Sequence, residues 1–259
     1  MKLKVLQLNI NADNYFSQVS NFLKTHDFDI INLQEVAGKS TIAGNINCKI
    51  DCFNELKKIL EPNYHSNLAI SDRFSSDPVN SYMANATFFK KSITLISADT
   101  LVLHKANGIF PSSSQDFQNE SRNAIILKLK YENKEFYVLN AHLVWGKDDI
   151  EKDFMRKQNL KLIEFVSKIK QPFILTGDFN ISPHQPSILD SNKIATNLTS
   201  KYDITNTLNP RTHRAKHLFP KGLAVDYIFL GNGFYETGFK VLDNLDLSDH
   251  LGLISDVEL

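Results

Sequence analysis

Acidic, amide and imidazole side chains stand at the ends of six apolar stretches. They are Asn9 in Gln7-Leu8-Asn9, Glu35 in Leu33-Gln34-Glu35-Val36, His142 in Asn140-Ala141-His142-Leu143, Asp178 and Asn180 in Gly177-Asp178-Phe179-Asn180, Asp226 in Val225-Asp226-Tyr227-Ile228, and Asp249 and His250 in Ser248-Asp249-His250. Carboxylate and amide oxygens suit a hard cation such as Mg²⁺, which keeps several waters and takes few protein ligands. An Asp beside a His can hold one imidazole tautomer and favour its protonated form. Each group alone has a plainer reading: Glu35 as a solvated strand end, Gly177-Asp178-Phe179-Asn180 as a turn, His142 as a structural histidine, Ser248-Asp249 as the end of a loop. Their order and joint occurrence favour one shared site.

Such a site needs elements that deliver all six segments to one place. Runs of β-branched, Leu and aromatic residues predict strands over about 3–10, 29–35, 82–89, 93–103, 122–131, 135–142, 172–178, 224–230 and 250–258. Because alternate residues of a strand share a face, Leu3 and Val5 go with Gln7 and Asn9, and Ile31 and Leu33 go with Glu35. Each apolar face therefore ends in a polar group. Asp226 and Asp249-His250 open their strands, as expected if those strands run opposite to the others and reach the same rim. Helical spacing appears in 15–25, 50–60 and 149–169, with Phe154, Leu160, Ile163 and Val166 on one face of the last, and a further helix is expected near 185–200. Glu132-Asn133-Lys134 between two strand patterns makes 122–142 a hairpin, and such connections imply mixed sheets.

The 259 residues are 42% apolar and 22% charged, and no repeat or linker divides them, so one domain spanning 1–259 is expected. Lys+Arg and Asp+Glu each number 29, which excludes a chain that holds nucleic acid by bulk positive charge. Cys48 and Cys52 are too few for a disulfide framework, no apolar run reaches bilayer length, and the N-terminus alternates like a strand. A cytoplasmic protein without stable membrane association is expected, and no obligate protein partner is evident. The polar segments 105–121 (with Ser112-Ser113-Ser114) and 203–222 exceed usual connections and are candidate lids or binding edges.

In this order the six segments resemble the endonuclease/exonuclease/phosphatase superfamily over nearly the whole chain. The resemblance implies an α/β (α+β) fold, a four-layer sandwich of two packed mixed β-sheets flanked by helices, with a metal-dependent phosphoesterase site at one rim. It implies Glu35 as the principal Mg²⁺ ligand with Asn9 beside it, Mn²⁺ serving as a substitute ion. Asp178 looks like the residue that orients or deprotonates the attacking water, and Asn180 like the amide on the scissile phosphate. Asp249 is similar to a further metal-region or water-orienting carboxylate, His250 to the phosphate-facing histidine, and Asp226 to the carboxylate that orients it. His142 matches a branch in which it acts as general acid or stabilises the transition state. A phosphodiester is an anion that repels hydroxide, so its hydrolysis needs neutralised phosphoryl charge, a positioned water and help for the leaving oxygen.

Substrate class is less legible, since the superfamily spans abasic-site endonucleases, deoxyribonucleases, tyrosyl-DNA phosphodiesterases, deadenylases, sphingomyelinases and inositol polyphosphate phosphatases. The segment from Arg211 to Lys221 carries four formal positive charges and no acid directly before Asp226. Arg211, Arg214 and Lys216 are therefore candidates to hold a phosphate backbone, as is Arg122 at the start of the hairpin; a solvated basic loop and an exposed arginine are the plainer readings. His142 departs from the abasic-site endonuclease pattern. The expectation is a Mg²⁺-dependent phosphodiester hydrolase acting on nucleic acid, as a nuclease or DNA-end-processing enzyme. A sphingomyelinase-like or inositol-phosphate phosphoesterase is the alternative, and an inactive member that binds nucleic acid the second. Cys48 with Cys52 and His213 with His217, each four apart, are weak metal signals.

Overall fold

Alternation along the strands builds the molecule as stacked apolar layers, seen in a computed structural model that describes residues 1–38, 48–73, 82–105, 120–146 and 148–259. Among these residues, one six-stranded sheet has the order β11 (Tyr235–Val241), β12 (Leu253–Glu258), β1 (Lys2–Asn9), β2 (Ile30–Ala37), β4 (Tyr82–Lys90), β3 (Tyr64–Arg73). The second has the order β5 (Thr94–His104), β6 (Arg122–Tyr131), β7 (Lys134–His142), β8 (Phe173–Asp178), β10 (Asp226–Gly231), β9 (Thr196–Asn197). β1 and β2 are parallel, as are β7 and β8, while their other neighbours are antiparallel, so both sheets are mixed.

One face of each central strand meets the other sheet: Leu3 and Val5 of β1 pack with Phe136 and Val138 of β7, Ile174 of β8 and Ile228 of β10. The opposite faces meet helices. Leu6, Leu8, Ile31 and Leu33 pack under α1 (Phe16–Thr25) and α2 (Cys52–Leu60), while Leu139, Leu175 and Phe229 pack under α3 (Asp153–Ser167) and α4 (Pro186–Ser191). The result is the four-layer sandwich expected from the resemblance. The hairpin closes through Glu132 and Asn133, both at positive φ (48° and 64°), the two-residue turn whose twist suits antiparallel strands.

Several sequence expectations are corrected. The long helix spans 153–167 and not 149–169, and it buries Met155, Gln158, Asn159, Leu162 and Val166, while Leu160 is exposed and Phe154 and Ile163 are half-buried. Two amides hide the true face: Gln158 Oε1 accepts from the Val144 N–H at 3.2 Å and Asn159 Nδ2 donates to the Ser187 carbonyl at 2.9 Å. The region 185–200 is broken into α4, β9 and α5 (Leu198–Lys201), because Asn197 leaves the helix to pair with Phe229 and cap α5. The last strand begins at Leu253, so His250 precedes it, held by a lone bridge to Leu208. β3 and β11 lack a clear sequence signal; both are edge strands. Cys48 lies ahead of α2 and not on a shared helix face with Cys52; both are buried free thiols. Residues 106–119, with Ser112-Ser113-Ser114, lie outside the described residues. No helix among the described residues is long and apolar enough to cross a membrane.

Candidate active site

Toward one end of the sandwich the faces between the sheets turn from hydrocarbon to polar. β1 continues from Val5 to Gln7 and Asn9, β7 from Val138 to Asn140 and His142, β8 from Ile174 to Thr176 and Asp178, and the reversed β10 begins at Asp226. Amides connect the sheets here. Gln7 Nε2 donates to Gln34 Oε1 and to Asp226 Oδ1, both at 2.9 Å, and Gln34 Nε2 donates to Asn140 Oδ1 at 2.7 Å. Gly177 is required between Thr176 and Asp178, since a Cβ there would stand 2.0 Å from the Ala141 carbonyl oxygen of the parallel neighbour.

Glu35 reaches this rim by a route that strand parity misses. Ile31 and Leu33 face α1 and α2, so strict alternation would send Glu35 away from the other sheet. Instead the β2–β4 register shifts between Leu33 and Val36, and Glu35 takes a positive φ of 52°. This bulge re-aims the carboxylate. Asn9 Nδ2 then donates to Glu35 Oε1 and to Asp178 Oδ2, each at 3.0 Å, while Asn9 Oδ1 accepts from the Asn11 N–H at 3.0 Å. Asn9, expected beside the metal, thus presents N–H groups to the two carboxylates and fixes their separation.

Asp178 Oδ2 is the point on which the rest converge. His142 Nε2 stands 3.7 Å from it and His250 Nε2 3.8 Å, and His142 Nε2 is also 3.9 Å from Glu35 Oε1. His250 Nδ1 pairs with Asp226 Oδ2 at 2.9 Å, which fixes its tautomer and orientation. Asp178 Oδ1 accepts from the Asn180 N–H at 3.0 Å, and Asn180, at a φ of 53°, sends its Nδ2 to the Leu143 carbonyl at 2.9 Å. Half-buried Asp249 accepts from Ser248 Oγ at 3.2 Å.

Burial and neighbouring charge give these groups different protonation tendencies. Burial pushes the Glu35 carboxyl up, the charge of Asp249 adds to this, and the Asn9 hydrogen bond opposes it. Burial lifts Asp178 to about 7, with His250 and Asn9 opposing and Asp226 and Glu35 adding. Burial, then the charges of Arg122 and His250, pull His142 well below the ordinary imidazole range, so it is neutral. Burial works the same way on His250, but the charges of Asp226 and Asp178 and the Asp226 hydrogen bond outweigh it and hold the ring cationic. The fit to a hard divalent ion follows: close carboxylates raise one another, and the atoms of Glu35, His142 and Asp178 that could ligate lie within 4.8 Å of one another. Cys48 lines the same cleft, but burial holds its thiol at about 12, leaving oxygen and imidazole donors.

The rim opens into a cleft of about 450 Å³ lined by Glu35, His142, Asp178, Asn180, Asp249 and His250, joined by Arg122, Trp145, His213 and Arg214. Arg122 is buried, paired with Glu120 and directed at the Ser121 and Leu143 carbonyls. Of the basic loop, only Arg214 among the three named candidates lines the cleft; Arg211 pairs with Asp246 at 2.6 Å, and exposed Lys216 donates to the Arg211 carbonyl at 2.9 Å. His213 and His217 do not act as a pair, since His213 lines the cleft and His217 is exposed. Sequence reasoning gave no task to Gln7 or Gln34, and weighed His213 only with His217 as a weak metal signal. Gln7 was legible through its parity with Asn9; nothing in the sequence separated His213 from a surface histidine.

Comparison with known proteins gives the family and the fold. The model of the endonuclease/exonuclease/phosphatase family matches residues 6–250, so the chain belongs to that family, whose members are hydrolytic phosphoesterases. Among curated proteins no sequence matches. Similar folds include an endonuclease/exonuclease/phosphatase from Bacteroides vulgatus (20% identity, TM-score 0.74, covering 100% of this chain and 99% of that one). A mannosyl-6-phosphatase from Bacteroides thetaiotaomicron is similar at 18% identity and a TM-score of 0.69 over 99% of this chain and 100% of that one. The human Nocturnin catalytic domain, with a bound sulfate anion, is similar at 17% identity and a TM-score of 0.67 over 99% of this chain and 93% of that one.

Proposed function

We propose that this member of the family is a Mg²⁺-dependent phosphodiester hydrolase whose substrate is nucleic acid, cleaved as by a nuclease or a DNA-end-processing enzyme. The observation that carries the chemistry is the convergence on Asp178 of a cationic histidine held by Asp226, a neutral histidine, and the Asn9 amide shared with Glu35. Mg²⁺, or Mn²⁺ in its place, held chiefly by Glu35 with Asp249 nearby, would set positive charge against the phosphoryl oxygens. Asp178, on which both histidines and the Asn9 amide converge, is placed to take a proton from the attacking water. His250 meets the developing phosphoryl charge as a cation, and Asp226 keeps it so. Neutral His142 is better suited to donating a hydrogen bond to the leaving oxygen than to delivering a full proton as an imidazolium. Asn180, anchored to Leu143, lines the cleft where an amide can contact the phosphate.

Nucleic acid is favoured among phosphoesters by Arg214 on the cleft and the basic segment that carries it. The test is turnover of DNA, RNA, sphingomyelin, inositol phosphates and mannose 6-phosphate with EDTA, then with Mg²⁺ or Mn²⁺ restored. Cleavage of DNA or RNA that stops in EDTA and returns with either ion is expected. Turnover of lipid or sugar phosphates alone overturns the substrate class, and inertness toward every phosphoester overturns the enzyme.

A further inference from the structure

Asp226 enters the reaction above only through His250, so whatever holds Asp226 decides where the imidazole stands. Its two carboxylate oxygens have different partners: Oδ2 pairs with His250 Nδ1 and Oδ1 accepts from Gln7 Nε2, both at 2.9 Å. Gln7 lies on β1 of one sheet, while Asp226 opens β10 of the other, and both are fully buried. Within its own sheet Gln7 Nε2 also donates to Gln34 Oε1 on β2.

The backbone fixes the direction of these bonds. Carbonyl oxygens only accept, so Asn140 must turn its Nδ2 to those of Leu33 and Ala86, at 3.0 and 2.9 Å. Asn140 Oδ1 is then left to accept from Gln34 Nε2 at 2.7 Å, Gln34 Oε1 to accept from Gln7 Nε2, and the same NH2 group of Gln7 to donate to Asp226. The chain of amides leaves the second sheet at Asn140 and returns to it at Asp226, and reversing any one amide would set like groups against each other. Gln7 is held by its donor end alone. Its Oε1 is buried without a hydrogen-bond partner among the described residues, as is Nδ2 of Asn32, its register neighbour on β2. Hydrocarbon of the same length would leave no orphaned acceptor there. An amide that leaves its own oxygen unpaired and directs its NH2 at Gln34 and Asp226 is placed for what it holds.

We propose that Gln7 is a positioning residue for the hydrolytic step: its N–H, donated across the space between the sheets to Asp226 Oδ1, fixes the plane of that carboxylate and through it the His250 ring. The proposal rests on the phosphoesterase reading and adds a residue that touches no substrate. Without the donor the carboxylate is free to turn about its Cβ–Cγ bond, and His250 loses its direction, while Glu35 and Asn180 keep their own contacts. A group that acts only on developing charge changes kcat and leaves KM.

Gln7→Met keeps the length of the side chain and removes the donor. With bis(p-nitrophenyl) phosphate and Mg²⁺ it should lower kcat about tenfold, the size of one hydrogen bond to a charged group, with KM unchanged within about twofold. In the His250→Ala background the same change should lower kcat by less than about twofold, since residues that act through one group are not additive. Gln7→Asn, one methylene too short to reach both partners, should give the same loss and takes the place of Gln7→Met if urea unfolding shows that variant unfolded. Proton NMR reads the pair without turnover or metal: the Nδ1 proton of His250, identified by its absence in His250→Ala, should give a resolved low-field resonance in the wild-type protein that moves upfield in the Gln7 variant. An unchanged kcat, a loss confined to KM, an equal loss in the His250→Ala background, or a low-field resonance missing from the wild type or unmoved in the variant would each overturn the assignment. A wild type inert toward every phosphoester whose resonance still moves would sink the enzyme reading and leave the hold of Gln7 on His250 standing.

Discussion

The space between the two sheets has two halves built on the same backbone. At the base, Leu3, Val5, Phe136, Val138, Ile174 and Ile228 form hydrocarbon core; at the rim, the same strand faces carry Gln7, Asn9, Asn140, His142, Thr176, Asp178 and Asp226, each 4% exposed or less. Burying a base side chain contributes about 1.5–3 kcal/mol. A rim hydrogen bond contributes only about 0.5–1.5 kcal/mol, and losing one partner of a buried pair costs more than the pair contributes. The rim is therefore core in which stability has been exchanged for fixed placement of polar groups. The difference teaches that the base holds the sheets together so that the rim can hold carboxylates and imidazoles where water would otherwise separate them.

The largest effect expected of any change is at the rim. Asp178→Asn and His250→Ala should each lower kcat/KM by roughly 10²–10³ or more while the chain still folds cooperatively, although His250→Ala, which leaves buried Asp226 without its partner, should also lower the thermal midpoint. Near-normal turnover in either variant would break the comparison from the catalytic side. At the base the balance reverses. Phe136, fully buried and edge-on to Phe234, should cost about 3–5 kcal/mol of stability as Phe136→Ala, measured by urea unfolding, with kcat of the folded fraction unchanged.

Asn140 lies on the border between the halves and sharpens the division. Its Oδ1 accepts from Gln34, and its Nδ2 donates to the Leu33 carbonyl at 3.0 Å and the Ala86 carbonyl at 2.9 Å. Asn140→Leu should lose about 1–3 kcal/mol of stability. Because Gln34 and Gln7 relay that placement to Asp226 and so to His250, it should also lower kcat/KM. Destabilisation without a rate effect would mean that the amide layer supports the fold alone.

The base half was legible in the sequence because apolar alternation and burial are the same fact stated twice. The polar ends of β1, β7, β8 and β10 were legible for the same reason, by continuing the alternation past the last hydrocarbon. Glu35 was found by its place in a motif, and the parity argument attached to it was wrong in sign, since only a bulge at positive φ brings it inward. A bulge is one extra residue in one strand and leaves no mark in hydropathy. The inward amides of α3, Gln158 and Asn159, were missed because a hydrogen-bonded amide and a solvated one have the same letter. Arg211 was singled out by charge, but its partner Asp246 is far along the chain and only folding brings the two together.

The smallest predicted effect is a dependence on pH that the rim sets just above neutrality. A group whose native pKa is raised binds protons in the folded state that the unfolded state has released, so its contribution to stability is lost as pH rises through the raised value. His250 is held well above the ordinary imidazole range and Asp178 at about 7. His142, pulled well down, and His213, pulled to about 4 by burial and the charge of His250, act in the opposite sense, but only below the unfolded histidine value near 6.5. Just above about pH 6.5, then, the opposing pair is silent and the midpoint of the metal-free protein should fall as pH rises. Mg²⁺ should flatten that fall, because a cation at the carboxylates favours their ionised form and lowers the pH at which Asp178 gives up its proton. The acid limb of kcat/KM should shift downward as Mg²⁺ is raised, in step with the flattening. A midpoint that ignores pH in this window, or an acid limb fixed at every Mg²⁺ concentration, would show that the rim carboxylates and the cation do not share one site.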